Sequence, residues 1–380
     1  MLDEIRNNVK RKLSMIGLSS ESDVRYIITS EILKYHETHE LTNEEKQKIE
    51  EELVNEICGY GKIEKYIKDN QVTEIMINGT ESVYVEKHGM LEKTNDKLDK
   101  SELDIIIQKI VLYVNKQISV ASPIVDARLK DGSRVNIILN PIALNGPIVT
   151  IRKFSNKVLD ASDLIRNGTM TEDVANFLKD VVTKRLNIFI SGGTGSGKTT
   201  LLNILSNFIN KNERIITIED SAELQIHSVD NLVRLEAREN NLEGKGAITI
   251  RDLIIASLRM RPDRIIVGEV RGKETFDMLQ AMNTGHSGSL STGHANSPRD
   301  MLTRLESLVI MTFEMPIEAI GRQIASAIDI IVHISRNEKG ERKIIEIVQI
   351  IGYEKGDYKI NKIFEYRNNK IVKVGDLIEK

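Results

Sequence analysis

Residues Gly192-Gly193-Thr194-Gly195-Ser196-Gly197-Lys198-Thr199 spell G-x-x-x-x-G-K-[ST], a spacing whose chemistry is anion binding. Glycines let the backbone wrap round an anion, so that successive N–H groups and the positive end of a following helix point at phosphate oxygens. Gly193, Thr194, Gly195, Ser196 and Gly197 would form that cradle, with Lys198, Thr199 and Thr200 opening the helix. Lys198 brings a point charge to the β- and γ-phosphates, and Thr199 a hydroxyl for Mg²⁺. The apolar run Ile188-Phe189-Ile190 comes just before, and Leu201, Leu202, Ile204 and Leu205 just after. Strand, loop and helix thus occur in the required order, and ATP with Mg²⁺ is the expected ligand.

A magnesium ion takes hard oxygen ligands, and two acids end apolar runs. Ile265-Ile266-Val267 leads into Gly268-Glu269, and Ile215-Ile216-Thr217-Ile218 into Glu219-Asp220. At the C-terminal ends of parallel strands both would face one crevice. Glu269, longer than an aspartate, suits an ion held through water; Glu219 could then polarise the attacking water. Thr284-Gly285-His286 and Thr292-Gly293-His294 place two histidines eight residues apart. Either can donate to a terminal phosphate and either can be structural, whereas a metal-ligand role lacks companion residues.

The elements that must hold these residues alternate strand and helix from residue 188 to about 334, the pattern of a parallel sheet covered by helices. We expect an α/β domain over 166–380 whose tail, around Lys355-Gly356 and Asn368-Asn369, forms antiparallel hairpins. Residues 1–57 read as a helical extension, with Val24, Ile27, Ile28 and Ile32 at helical spacing and a capping box from Thr42 to Glu45. Residues 58–155 read as a smaller α+β domain, with strands at 74–77, 82–85, 134–139 and 148–152 and one helix burying Leu103, Ile106, Ile107 and Ile110. A polar linker is expected over 156–165.

The 380 residues allow two or three such domains. With 53 Lys+Arg against 56 Asp+Glu, no Trp and 4% aromatic residues, neither a basic excess nor a stacking surface points to nucleic acid, and no nucleic-acid partner is expected. The single cysteine, Cys58, allows neither an internal disulfide nor a multi-cysteine zinc cluster, and reads as a small buried residue in a reducing compartment. No apolar run reaches the ~18–20 residues of a membrane span, and the first residues are charged. A cytoplasmic protein without direct membrane insertion is expected.

The phosphate loop, Ile218-Glu219-Asp220-Ser221-Ala222-Glu223-Leu224, Leu258 to Asp263 before Gly268-Glu269-Val270-Arg271, and Thr284 to Ser289 through His294-Ala295-Asn296 resemble the Walker A, Asp, Walker B and His boxes of the type II/IV secretion-system ATPases. Gly59 to Glu64, Val72 to Gly79, Asp126-Ala127-Arg128 and Ile151 to Phe154 resemble that family's N-terminal domain. The likeness narrows to the CpaF-type ATPases of Tad (Flp) pilus assembly through His294 to Asp300, Gln323 to Asp329 and the helical N-terminal extension.

The resemblance implies a RecA-like P-loop domain and a homo-hexameric ring that binds ATP between the two domains of a subunit and acts on inner-membrane pilus or secretion platform proteins. Its location would be peripheral, at the inner face of the cell membrane. It also implies that Glu219 acts on the water, Glu269 belongs to Walker B, and His294 senses the phosphate. Arg134 and Arg152, with Arg128 as a third, would close over the phosphates. Two departures stand out. A chain with one cysteine lacks the four-cysteine zinc module of several relatives, and Gly293 replaces a bulkier apolar residue. The expected activity is ATP hydrolysis that powers a motor; a hexameric nucleic-acid translocase and an ATP-switched scaffold are the alternatives. The near-neutral charge disfavours the first, and the paired acids with the arginines disfavour the second.

Overall fold

Capping residues set where the first helices of the chain begin. In the computed structural model, which describes residues 2–16, 20–87, 89–114, 117–129, 131–154, 159–238, 240, 245–337 and 340–379, two units are distinguished, Met1–Asn156 and Lys157–Lys380. The first opens with α1 (Leu2–Ile16), α2 (Glu21–Thr38) and α3 (Asn43–Ile57). Ser20 and Thr42 are the N-caps of α2 and α3, and each forms a reciprocal capping box with the acid three residues on, Asp23 and Glu45. The three helices share an aliphatic core that includes Ile5, Val9, Ile28 and Leu53.

Helix α4 (Glu64–Lys68) leads into β1 (Val72–Asn78), β2 (Ser82–Lys87), β3 (Met90–Lys93), α5 (Lys100–Tyr113), β4 (Ile124–Arg128), β5 (Arg134–Ile138) and β6 (Ile148–Arg152). The strands form one antiparallel sheet in the order β3-β2-β1-β6-β5-β4. Alternate residues of β1, β2, β5 and β6 bury against Leu103, Ile106, Ile107 and Ile110 of α5. Strands β3 and β4 were not apparent from the sequence. Every residue of β3 is exposed and β4 buries only Val125, so these two edge strands carry no alternation to detect. Lys109 of α5 donates to the carbonyls of Glu56 (2.7 Å), Ile57 (3.0 Å) and Gly59 (2.6 Å), which neutralises the C-terminal end of α3. Cys58, expected to be buried, is instead exposed as the C-cap of α3.

Of the segment expected as a linker, residues 156–158 lie outside the described residues, and its second half is helical. In the second unit α6 (Ala161–Arg166) starts at the capping residue Asp160 and buries Leu164 in the unit's own core. There follow α7 (Glu172–Thr183), β7 (Ile188–Ser191), α8 (Lys198–Ser206), β8 (Ile215–Glu219), β9 (Leu232–Glu236), α9 (Ile250–Ser257), β10 (Arg264–Val267), α10 (Glu274–Asn283), β11 (Leu290–Gly293), α11 (Pro298–Ile310), α12 (Ile317–Ala327), β12 (Ile330–Arg336), β13 (Arg342–Glu354), β14 (Asp357–Arg367) and β15 (Lys370–Lys373).

These nine strands form a sheet in the order β15-β14-β13-β12-β7-β11-β10-β8-β9. The run from β12 to β9 is parallel and the tail strands are antiparallel. This is the expected α/β architecture. Ile188 and Ile190 of β7 pack with α7 and α8, while Phe189 packs on the other side with α9 to α12. Both faces are therefore covered, as a parallel sheet requires. At the tail turns, Lys355, Gly356, Asn368 and Asn369 all have positive φ, the backbone that tight hairpins select. Strand β9, not apparent from the sequence, is an edge strand with no fully buried residue.

The end of the sheet remote from the phosphate loop is held by Arg264, the first residue of β10, which is 1% exposed. Its guanidinium donates bidentately to Glu213 (2.8 and 2.9 Å) and also to the carbonyls of Val182 (2.8 Å) and Gly288 (3.3 Å). One side chain thus ties together the segments before β8 and β11 and the end of α7. Removing the carboxylate would strand a buried cation. Glu213→Ala should therefore cost about 3–5 kcal/mol in urea unfolding; a loss below about 1 kcal/mol, the size of an exposed ion pair, would contradict that anchoring role.

Candidate functional site

Four adjacent parallel strands, β7, β11, β10 and β8, present their C-terminal ends along one edge of the second sheet. The turns that follow are stitched side by side. Gly192 N–H donates to Gly293 O (3.3 Å), Val270 N–H to Thr292 O (3.0 Å) and Gly268 N–H to Ile218 O (2.8 Å). The phosphate loop, His294, Glu269 and Glu219 thereby lie in one row, in that order.

In the loop, Gly195 (φ 68°) and Gly197 (φ 102°) take left-handed conformations, and Gly197 is the N-cap of α8. Gly193 and Thr194 are exposed, and Thr199 and Thr200 are half-buried in the first turn of α8. The Lys198 side chain is 7% exposed and donates to the carbonyls of Gly192 (3.2 Å) and Gly193 (3.0 Å). Burial pulls its ammonium below the ordinary lysine value, with Glu269 opposing the shift. Its Nζ also lies 3.3 Å from Nδ1 of His294.

From His294 the chain of polar contacts continues. Nε2 is 2.8 Å from Oε1 of Glu269, and Oε2 of Glu269 is 2.5 Å from Arg271 Nη2. Arg271 Nη1 in turn lies 3.8 Å from Asp220. A neutral imidazole that accepts from lysine at Nδ1 carries its proton at Nε2, on the side of Glu269, although Glu269 Oε1 takes no hydrogen bond of good geometry among the described residues. Burial lowers the His294 pKa, Glu269 raises it, and Lys198, Arg271 and Arg304 lower it further. Arg271 escaped notice as a site residue because it follows Glu269 by only two positions in a loop, a spacing with no geometric signature. Gly293 leaves the room that Met301 and Phe189 fill; a Cβ there would come within 2.8 Å of Met301 Cε.

Glu219 stands apart. β8 is the third strand from β7, about 14 Å across the sheet at ordinary strand spacing. Its carboxylate is 3% exposed, and Oε2 accepts from the backbone N–H groups of Glu223 (2.8 Å) and Leu224 (3.0 Å). Oε1 has no hydrogen-bond partner among the described residues. Burial pushes its pKa up, against the lowering by those two amides. His286 lies before β11 rather than after it, with Nδ1 3.3 Å from Ala281 O, so it takes no part in this row.

The arginines singled out by resemblance belong to the first unit. Strand pairing sets Arg134 opposite Arg152 on one side and opposite Arg128 on the other, and Arg152 opposite Glu74. Residues directly opposite share a face, so three guanidiniums stand in one row across β4, β5 and β6.

The residues of the second unit suit a magnesium–nucleotide complex. Thr199 and Glu269 are hard oxygen donors, and Ser196 Oγ is a buried polar atom with no partner among the described residues.

The balance of charges on His294 can be measured. In an NMR titration its imidazole should have a midpoint below 6.5. Glu269→Gln should lower that midpoint further and Lys198→Met should raise it; opposite shifts would refute the contact chain. Since the folded value lies under the unfolded 6.5, the unfolded chain takes the proton first as pH falls. The contribution of His294 to stability is thus present above pH 6.5 and lost below it.

Comparison with known proteins places these features in a family. The family described as type II/IV secretion system protein matches residues 56–374. An uncharacterized protein of Methanocaldococcus jannaschii, MJ0781, is 44% identical over 295 residues, which cover 75% of this chain and 40% of that protein. The conjugal transfer protein TrbB of Rhizobium radiobacter is 32% identical over 317 residues, 82% of this chain and 92% of that protein. The solved structure of the Legionella pneumophila ATPase DotB, 22% identical, has the same fold over 76% of this chain and 79% of that one, with a TM-score of 0.55.

Proposed function

The chain belongs to the type II/IV secretion system protein family, and on that premise we propose that it is an ATP-hydrolysing motor that drives assembly of a Tad-like pilus or a related secretion machine. The contact chain from Lys198 through His294 to Glu269 carries this reading, because it couples the phosphate loop to an acid on the strand two places away. A loop that only held phosphate would need no such coupling.

Each residue has a task in the proposed cycle. The loop amides of Gly193 to Gly197 bind the phosphates, and Lys198 exchanges its two carbonyl partners for phosphate oxygens. Thr199 and, through water, Glu269 would hold Mg²⁺, which supplies charge neutralisation at the phosphates. His294, in contact with both Lys198 and Glu269, transmits the state of the terminal phosphate between them. Glu219, with one oxygen held by two amides and the other without a hydrogen-bond partner among the described residues, orients the attacking water. The arginine row of the first unit, Arg134 and Arg152 with Arg128, supplies positive charge to the phosphoryl group in transfer.

The motor would act as a homo-hexameric ring on platform proteins at the inner face of the membrane. No described helix is long and apolar enough to cross a membrane, so attachment through partners fits this reading.

Phosphate-release assays on the full chain test the assignment. Lys198→Ala should reduce turnover by at least about 10²-fold with an unchanged melting temperature; near-normal hydrolysis would remove the loop from the mechanism. Arg152→Ala should lower turnover on the order of 10³-fold, the usual effect of losing an arginine at a phosphoryl group. Should it only lower the melting temperature, the arginine row would be structural.

A further inference from the structure

Arg336 closes β12 and Arg342 opens β13, and the antiparallel ladder sets them directly opposite one another. Like charges in that position repel. Both guanidiniums nevertheless converge on one atom of the phosphate loop: Arg336 Nε donates to Gly195 O at 3.1 Å and Arg342 Nε to the same oxygen at 3.2 Å. The glycines of the loop leave room for this approach. A Cβ on Gly195 would come within 2.8 Å of Arg336 Nη2, and one on Gly197 within 3.1 Å of Arg342 Cδ.

The peptide joining Gly195 to Ser196 is planar and trans, so its N–H points away from its C=O. Holding the oxygen from the hairpin side therefore holds the Ser196 N–H toward the opposite side. That N–H makes only a long bond, 3.3 Å, to Gly193 O, one easily exchanged for a phosphate oxygen. Two cationic donors on the carbonyl also polarise the peptide, which strengthens its N–H as a donor.

We propose that Arg336 and Arg342 are positioning residues of the phosphate loop, which clamp the Gly195 carbonyl so that the Ser196 amide is pre-oriented for phosphate. The β12–β13 hairpin then sets the affinity of the loop for nucleotide. Fixing the amide beforehand removes an ordering cost from binding, and two nearby positive charges favour the anion further. This rests on the reading of the loop as the ATP site.

Calorimetric titration of the full chain with Mg·ATP, alongside steady-state phosphate release, tests it. R336Q/R342Q should weaken binding about tenfold and each single glutamine variant about threefold, the loss appearing in KM rather than kcat. R336K/R342K, which keeps both charges and a donor on each, should recover most of the affinity. Thermal midpoints should stay at the wild-type value. If the double glutamine variant fails to fold, the single variants carry the same test through their threefold loss. Binding within twofold of wild type in the glutamine variants would overturn the clamp and leave the ATP site standing. So would a loss matched by a fall in thermal midpoint that the lysines do not restore. Wild-type protein that binds no Mg·ATP would overturn the ATP site itself, and the clamp with it.

Discussion

The functional edge of the second unit depends on β7, β11, β10 and β8 running parallel and ending together. A parallel sheet buried on both faces admits aliphatic residues and small uncharged ones such as Thr217, Ser291 and Thr292 within its strands, so the charged groups are confined to the strand ends. The strands are only four or five residues long. Arg264 at the start of β10 and Glu269 just beyond its end are therefore kept apart with opposite duties. The first locks the sheet from beneath with a buried ion pair, and the second meets His294 and Arg271 at the opposite edge.

Along that edge the charges alternate in sign through Lys198, neutral His294, Glu269, Arg271 and Asp220. Partial burial of Lys198, His294 and Glu269 strengthens the inner links relative to water, whereas Arg271 and Asp220 are exposed. The depressed pKa of Lys198 and of His294 expresses this: desolvation disfavours their charged forms, while Glu269 opposes the shift. An anion arriving at Lys198 must redistribute the whole chain. Glu219 obeys the same rule with the opposite direction of shift: burial pushes its pKa up, toward the neutral form, against the two backbone amides that hold it.

Strand register gathers like charges in two places. In the first unit it aligns Arg128, Arg134 and Arg152 across three strands, and in the second it sets Arg336 against Arg342. Directly opposed like charges repel, and nearby acceptors offset this: Arg152 also faces Glu74, and Arg336 and Arg342 share the Gly195 carbonyl. Arg128 and Arg134, like Arg336 and Arg342, are six residues apart on paired neighbouring strands, and Arg152 joins the first array from β6. The ladder builds each cluster by pairing strands, and in the second unit it delivers two guanidiniums to a single carbonyl.

The phosphate loop, the helix that follows it, the capping box at Thr42 and the hairpin turns at Lys355-Gly356 and Asn368-Asn369 were legible in the sequence because each depends on neighbours a few residues away. Periodicity likewise exposed the buried strands. It could not expose β3, β4 or β9, whose residues stay largely at the surface, nor the exposure of Cys58. His286 and His294 have matching surroundings in sequence, and only the direction of β11 decided which one meets Lys198 and Glu269. Arg336 and Arg342 stand 141 and 147 residues from Gly195, beyond any local pattern. A single sequence therefore determined which segments form elements and where the glycine-rich loop lies. Which side chains converge on that loop was decided by strand order and register, because local periodicity reports burial and not which strand lies beside which.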